Sequence, residues 1–243
     1  MASRVRIDRL LVERGLFESR AQAQAAIAAG RVTADAAIVT KPSQEVSVEA
    51  MLSAQAAHPY VSRGGVKLAA ALDHFRCDPC GRVCLDVGAS TGGFSDVLLA
   101  RGARRVYAVD VGRGQLHASL HTEPRLLSLE GTDIRALEAA RLPDAPDFVT
   151  IDVSFISLKL VLPAALRLAQ GPAQLLALIK PQFEAGRRHV KKGIVRAPAV
   201  HAAVCDDIAA FVAAHGWQVE GIIPSPIPGG DGNREFFIAA HTV

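Results

Sequence analysis

Aromatic residues make up only 5% of this 243-residue chain, and alanine is abundant in their place. A core assembled from such residues is small-residue and rich in helix. No apolar run approaches the roughly 20 residues needed to span a bilayer. Met1-Ala2-Ser3-Arg4 leads into a charged helical pattern rather than the apolar centre of a secretory leader. These absences predict a soluble, cytoplasmic protein with no membrane partner. Cysteine is sparse as well, with four in the chain. Cys77-Asp78-Pro79-Cys80 has the spacing of half a zinc site or of a redox pair. No second pair follows at metal spacing, however, and the motif closes a helix where a redox motif would open one. Cys84 and Cys205 read as small buried hydrophobes, so neither a bound metal nor an oxidising compartment is expected. A large net charge is lacking too: 27 Lys and Arg stand against 24 Asp and Glu, and the net value of +3 with a pI near 8.8 is too mild to imply nucleic acid by itself. The charge is uneven, though, because residues 4–31 hold six Arg against three acids, a local basic patch.

Half of the residues are hydrophobic, enough for one sizeable core and a small extra module. The stretch that organises the chain is Leu85-Asp86-Val87-Gly88-Ala89-Ser90-Thr91-Gly92-Gly93-Phe94, an apolar strand ending in a small-residue turn that opens a helix. Small residues let backbone approach a ligand, and a helix start offers unpaired N–H groups. A side chain at Gly88 is therefore expected to abolish binding without unfolding the domain. Three chemistries compete for the turn. A dinucleotide fingerprint needs glycine where Ser90 stands. The hydrolase nucleophile elbow, matched by Gly88-x-Ser90-x-Gly92, needs preceding strands in the same sheet, and residues 1–82 show no run of core strands. The third is the S-adenosylmethionine turn, which calls for a second acidic residue at the end of the next strand. Arg105-Val106-Tyr107-Ala108-Val109-Asp110 supplies it, placing a carboxylate where a ribose diol would lie. NAD would use that carboxylate equally, so Asp110 alone leaves the two ligands open.

Along the chain, Arg6–Gly15 and Ala21–Ala29 read as two helices, the second opened by a capping box of Ser19 with Gln22. Arg31-Val32-Thr33 and Ala37-Ile38-Val39 read as a hairpin around Asp35. Ala36 occupies a turn position where Asn-Gly is usual, and alanine tolerates positive φ badly, so a longer or bulged turn is expected. Residues 51–61 lack periodicity and read as a linker. Beyond it, strands and helices alternate, with helices at Val66–Phe75, Leu116–Leu120 and Ile134–Ala140. Acidic and basic residues fall at strand ends: Asp133 after Leu126–Leu129, Asp152 as the last residue of a fourth strand read as Phe148–Asp152, and Lys180 within a fifth strand read as Leu175–Glu184. Asp133 has two readings, an acceptor for the adenine amine and a helix N-cap. Pro181 predicts extended backbone at Lys180. Between Gly186 and Gly193 lies a basic loop with Arg187, Arg188, Lys191 and Lys192, read either as a solvated turn or as an RNA clamp.

Two resemblances are carried by these residues. Arg6-x-Asp8-x-Leu10-Leu11-Val12-x-x-Gly15-Leu16, Ser19-Arg20-x-x-Ala23 and Gly30-x-Val32 resemble the S4 RNA-binding module over residues 4–50. That resemblance implies phosphate contacts from Arg4, Arg6, Arg9, Arg14, Arg20, Arg31 and Lys41, giving affinity without sequence choice. Ser62-Arg63-Gly64-Gly65-Val66-Lys67-Leu68, Gly88–Phe94, Asp152-Val153-Ser154-Phe155-Ile156-Ser157 and Lys180-Pro181-Gln182-Phe183-Glu184 resemble the TlyA family, also called haemolysin A, across nearly the whole chain. The resemblance implies an S4-like RNA-binding domain at 1–58, a linker at about 51–61, and an FtsJ-like methyltransferase domain at 62–243. The implied fold class is α/β, a Rossmann-like class I methyltransferase sheet with helices on both faces, preceded by a small α+β S4-type domain. The implied activity is methyl transfer from S-adenosylmethionine to a ribose 2′-hydroxyl, of cytidine, in ribosomal RNA within a ribosomal subunit or its precursor. Lys67, Asp152, Lys180 and Glu235 then map onto the family's catalytic tetrad. Cofactor contacts fall to Asp86, Gly88, Ala89, Ser90, Gly92, Gly93, Phe94, Asp110 and Asp133.

A ribose hydroxyl is a weak nucleophile, so a base must take its proton. Lys180 can do so only in its neutral form, with Asp152 orienting it and with Glu235 and Lys67 positioning the ribose. Two other classes are weighed beside this one. A noncatalytic S4-type RNA-binding protein of ribosome assembly would not need four ionisable groups at strand ends, and a membrane-active haemolysin would need an inserting stretch.

Overall fold

Ile7, Leu10 and Leu11 do share one helical face, and all three are buried. They belong to the first of two units into which the computed structural model divides, Met1–Pro59 and Tyr60–Val243; the structure describes residues 3–242. In the first unit the order is β1 (Arg4–Arg6), α1 (Ile7–Glu13), α2 (Arg20–Ala28), β2 (Val32–Ala34), β3 (Ala37–Ile38), β4 (Glu45–Ser47) and β5 (Leu52–Ala54). Ser19 Oγ accepts from Gln22 N at the start of α2, as the capping signal predicts, and Gln22 Oε1 accepts from Glu18 N. The helices pack Ile7, Leu11, Ala23 and Ile27 into a core with Val32, Val39 and Val46. Burial of a side chain such as Leu11 contributes about 1.5–3 kcal/mol.

Two expectations fail here. The hairpin turn is tight, because Ala34 pairs directly with Ala37 and both Asp35 and Ala36 take positive φ, 50° and 66°. Asp35 is held by Met51, its N–H donating to Met51 O and its carboxylate accepting from Met51 N, so tertiary bonds offset the cost of a left-handed alanine. Met51 is itself part of the second correction. The stretch read as linker contains β5, which pairs antiparallel with β2. Three residues are too few to show a period, and only the partner strand reveals them.

The second unit runs α3 (Arg63–Phe75), β6 (Val83–Val87), α4 (Gly93–Ala100), β7 (Arg105–Asp110), β8 (Leu126–Glu130), β9 (Phe148–Ile151), α5 (Leu158–Leu168), β10 (Gln174–Ile179), α6 (Pro181–Glu184), α7 (Pro198–Ala214), β11 (Gln218–Pro224) and β12 (Phe236–His241). One seven-stranded sheet has the order β11-β12-β10-β9-β6-β7-β8. It is parallel from β10 through β8, and β12 is antiparallel to both neighbours. Both faces are covered, which is why the strands read as unbroken apolar runs. Leu85, Val149, Leu175 and Ile179 pack into one core with α5 and α7, and Cys84, Phe148, Leu176 and Leu178 into the other with α3 and α4.

The helices expected at Leu116–Leu120 and Ile134–Ala140 are single 3-10 turns, at Ala118–Leu120, Ile134–Ala136 and Ala139–Arg141. The apolar run through Lys180 does not continue as strand to Glu184. Pro181 lacks an N–H for the ladder but suits the first turn of a helix, so β10 stops at Ile179 and α6 follows.

Candidate active site

Strand β6 lies between β7 and β9: the chain runs outward from β6 through β7 and β8 and then crosses back to β9 on the other side of β6, and this reversal opens a crevice at the strands' carboxyl ends. A cleft of about 240 Å³ occupies that place, lined by the turn residues Gly88, Ala89, Ser90, Gly93 and Phe94 and by Lys67, Asp152 and Lys180. Ser62, Arg63 and Gly64 contribute the wall formed by the start of α3, and Gly230 contributes from the loop between β11 and β12.

Glycine is needed here chiefly so that protein can pack on protein. A Cβ on Gly93 would lie 2.0 Å from Ser62 Oγ and 3.2 Å from Gly65 N, and one on Gly65 would strike the Tyr60 side chain. The starts of α3 and α4 therefore touch, which carries Lys67, one turn into α3, to the cleft. Gly88 has φ 84°, and a Cβ there would sit 2.5 Å from the backbone oxygen of Asp152. Gly92, with φ 90°, leaves room for Leu116 and Leu120 rather than for a ligand. The expectation that a side chain at Gly88 would spare the fold is corrected by this contact, since it would displace the segment that carries Asp152.

Two ion pairs, one buried and one partly so, bring residues distant in the chain to the cleft. Lys67 Nζ donates to Glu235 Oε2 at 2.6 Å, and these side chains are 10% and 3% exposed. Lys180 Nζ lies 2.5 Å from Asp152 Oδ1 and donates to Ser154 Oγ at 2.8 Å. Lys180 has the extended backbone that Pro181 predicts, φ −113° and ψ 98°. Glu235 is not among the residues that line the cleft, and reaches it through Lys67. Beneath the Asp152 segment, Glu184 accepts from Ser157 Oγ and Leu158 N, tying α6 to the start of α5. Burial raises the Glu184 pKa above its ordinary value.

The acidic residues assigned to the cofactor divide by position. Asp86 is fully buried on the face toward α4, where Ser95 Oγ donates to it at 2.7 Å and Thr150 Oγ1 at 3.1 Å. Loss of solvation pushes its carboxyl up to about 7. It braces the turn from below and presents no face to the cleft. Asp110 holds the turn from the side, accepting from Ser90 N at 2.8 Å and Gly112 N at 2.7 Å, and remains partly exposed at the end of β7. Asp133 is an N-cap, accepting from Arg135 N, and also pairs with the Arg135 guanidinium, which lowers its pKa.

Sequence reasoning passed over Ser154, Gly230 and Phe155. Ser154 was visible inside the Asp152–Ser157 motif, as the polar residue two after a strand-end carboxylate. Phe155 is 91% exposed with φ 64° and lies 5.2 Å, ring to ring, from Phe183. A bulky side chain in left-handed backbone costs of order 1–3 kcal/mol and marks sites under functional constraint.

The basic residues also divide. Arg6 and Arg20 both bond Asp8. Arg14 donates to the backbone oxygens of Val48 and Ala50, Arg4 to that of Glu45, and Arg31 to Gln55. Arg9 and Lys41 are exposed. In the second unit Arg187, Arg188, Lys191 and Lys192 are exposed on their loop. The buried Asn233 anchors that loop's end, donating to Gly193 O and accepting from Val195 N.

The FtsJ-like methyltransferase family matches residues 60–242, and the S4 domain matches residues 5–52. The chain is 44% identical, over 245 residues covering all of it and 91% of the relative, to a Mycobacterium tuberculosis protein named 16S/23S rRNA (cytidine-2′-O)-methyltransferase TlyA. A solved structure from Streptococcus thermophilus that carries the name hemolysin superposes with a TM-score of 0.78 at 40% identity, covering 100% of this chain and 90% of that one. A SAM dependent methyltransferase from Aquifex aeolicus shares the fold alone, with a TM-score of 0.51 at 18% identity over 75% of this chain and 94% of that one.

Proposed function

Because the chain belongs to the TlyA family of FtsJ-like methyltransferases, we propose that it transfers a methyl group from S-adenosylmethionine to the ribose 2′-hydroxyl of a cytidine in ribosomal RNA. The observation that carries this reading is the convergence of Lys67–Glu235 and Asp152–Lys180 on the cleft beside the Gly88–Phe94 turn. The nucleotide and the RNA are supported by the name of the M. tuberculosis relative.

The residues fit the cofactor by their donor set. Asp110, at the carboxyl edge of β7, offers acceptors suited to a ribose diol, and the small residues Ala89 and Ser90 leave the backbone accessible. When bound, S-adenosylmethionine supplies a methyl group on a positively charged sulfur. The chain's own residues then have to place and deprotonate the nucleophile. Lys180 Nζ, held by Asp152 Oδ1 and Ser154 Oγ, is the atom assigned to receive the 2′-hydroxyl proton. Lys67, held in place by Glu235, positions the ribose, and the work of the pair is proximity and orientation. Phe155, exposed beside the cleft residue Ser154, offers a flat apolar surface on which a base could stack.

Among the described residues no helix is long and apolar enough to cross a membrane, and the word hemolysin belongs to the relatives that bear it. The test is single-turnover methylation of ribosomal RNA with the modified position mapped. Lys180→Ala is expected to lower the rate by about 10² to 10⁴ while calorimetry still detects S-adenosylmethionine binding. Near-normal methylation by that variant would remove Lys180 from the role of base, and NAD binding without S-adenosylmethionine binding would remove the reading altogether.

A further inference from the structure

Asp8 is the only acidic side chain of the first unit that is completely buried among the described residues, and it is bonded by two arginines where one would neutralise it. Arg6 donates through Nε and Nη2, at 3.1 and 3.0 Å. Arg20 donates through the same two atoms, at 3.2 and 2.6 Å, and Gln24 Nε2 adds a fifth bond at 3.0 Å. Hydrogen bonding from Arg6, joined by Arg20 and Gln24, holds the Asp8 carboxyl well below the usual carboxylate range. The cluster therefore keeps one excess positive charge. Each guanidinium carries five N–H groups, so two bonds apiece leave three donors on Arg6 and three on Arg20. Their side chains are 41% and 48% exposed.

We propose that Asp8 is a positioning residue which fixes Arg6 and Arg20 as a preformed clamp for an RNA backbone phosphate. The proposal rests on the reading of this unit as the RNA-docking module. An isolated surface arginine must give up rotamer freedom when it grips a phosphate, and that cost lowers affinity. Here the folding of α1 and α2 has already removed it. Asp8 lies in the first turn of α1, Arg20 opens α2 and Arg6 ends β1, so the three elements meet at one carboxylate. The planar fork matters as well, because a lysine offers a point charge and cannot bond Asp8 and a phosphate oxygen along fixed directions at once.

The alternative is that Asp8 is internal glue and that the two arginines, already paired, take no part in binding. Charge and geometry give opposite signs for one substitution. Asp8→Asn raises the net charge of the surface by one, so attraction to RNA taken alone predicts tighter binding. Loss of preorganisation predicts weaker binding, roughly fivefold or more for two freed side chains.

The experiment is filter binding of the full chain to purified ribosomal RNA between 50 and 200 mM KCl, on the order of the range where phosphate contacts dominate, with thermal unfolding run in parallel. Folded Asp8→Asn that binds at least severalfold more weakly supports the clamp, and equal or tighter binding overturns it. Should Asp8→Asn unfold the small unit, Arg6→Lys/Arg20→Lys decides at unchanged charge: weaker binding supports the clamp and wild-type affinity overturns it. Arg9→Gln separates this inference from the docking reading beneath it. If Arg9→Gln weakens binding and the Asp8 and Arg6/Arg20 variants do not, the clamp alone falls. If none of them does, the module's role in docking falls with it.

Discussion

The Lys67–Glu235 pair allows stability and chemistry to be separated. Glu235→Gln removes one charge and leaves the Lys67 ammonium beside a neutral amide, in a place where the two side chains are 10% and 3% exposed. Breaking a buried pair from one side costs about 3–5 kcal/mol, because the surviving charge keeps its desolvation penalty. For a unit of the size of Tyr60–Val243, each kcal/mol shifts Tm by about 2–4 °C, so the larger unit's transition should fall by roughly 10 °C. Lys67→Met strands the carboxylate and should cost a similar amount. Lys67→Met/Glu235→Leu removes both charges in side chains of comparable volume, and its Tm is expected to return to within a few degrees of the parent or to exceed it. Methylation should not return, since ribose positioning needs both polar groups. Differential scanning calorimetry and single-turnover methylation on the same preparations test this. A double variant whose destabilisation equals the sum of the two single ones would show that the charges are not coupled, and one that methylates at the parental rate would show that the pair is structural only.

Asp86 gives a pH test with a defined sign. Its carboxyl is pushed up to about 7 by burial, from an ordinary 3.8, so the folded state holds the proton more tightly than the unfolded one. Its contribution to stability is complete below about pH 4 and is lost as pH rises toward 7, on the order of a few kcal/mol. Asp86→Asn should flatten that part of the stability profile in urea titrations between pH 4 and 7; an unchanged slope would assign the pH dependence elsewhere. Gly88→Ala places a Cβ 2.5 Å from the backbone oxygen of Asp152 at φ 84°. It is expected to lower both Tm and S-adenosylmethionine affinity, and a variant that lost affinity at unchanged Tm would restore the simpler view of Gly88 as a ligand-approach residue.

Much of this site was legible because its residues terminate apolar runs. Strands buried on both faces advertise themselves by composition, so Asp110, Asp152 and Lys180 could be placed at carboxyl ends from the sequence, although that reading carries the fifth strand on to Glu184, past the proline that ends it. What could not be read was the direction a polar residue faces. Asp86 and Asp110 both follow an apolar strand in motif order, yet one lies under the turn with Ser95 and Thr150 and the other beside it with Ser90. Alternation along β6 puts Asp86 on the side of Cys84, and that side is covered by α4. Short elements were lost for a different reason. Leu52–Ala54 has no pattern of its own, and the turn at Asp35-Ala36 violates local preference, because both are held by partners distant in sequence.

Counting basic residues along a sequence overestimates how many are available to a ligand, and the error has a physical pattern. A carboxylate that stays charged as it folds out of water must take cations with it, whereas Asp86, with only hydroxyl partners, is pushed toward its protonated form. Asp8 takes Arg6 and Arg20, Asp152 takes Lys180, and Glu235 takes Lys67. In the two cleft pairs one acid meets one base, so the charges cancel and a lysine is left with a fixed position but no surplus to draw an anion. At Asp8 two bases meet one acid, and the surplus faces solvent. The first arrangement suits a site that must orient a neutral hydroxyl, and the second suits a surface that must attract phosphate. The placement of buried acids beneath the basic residues thus separates the two tasks more sharply than the net charge of +3 does.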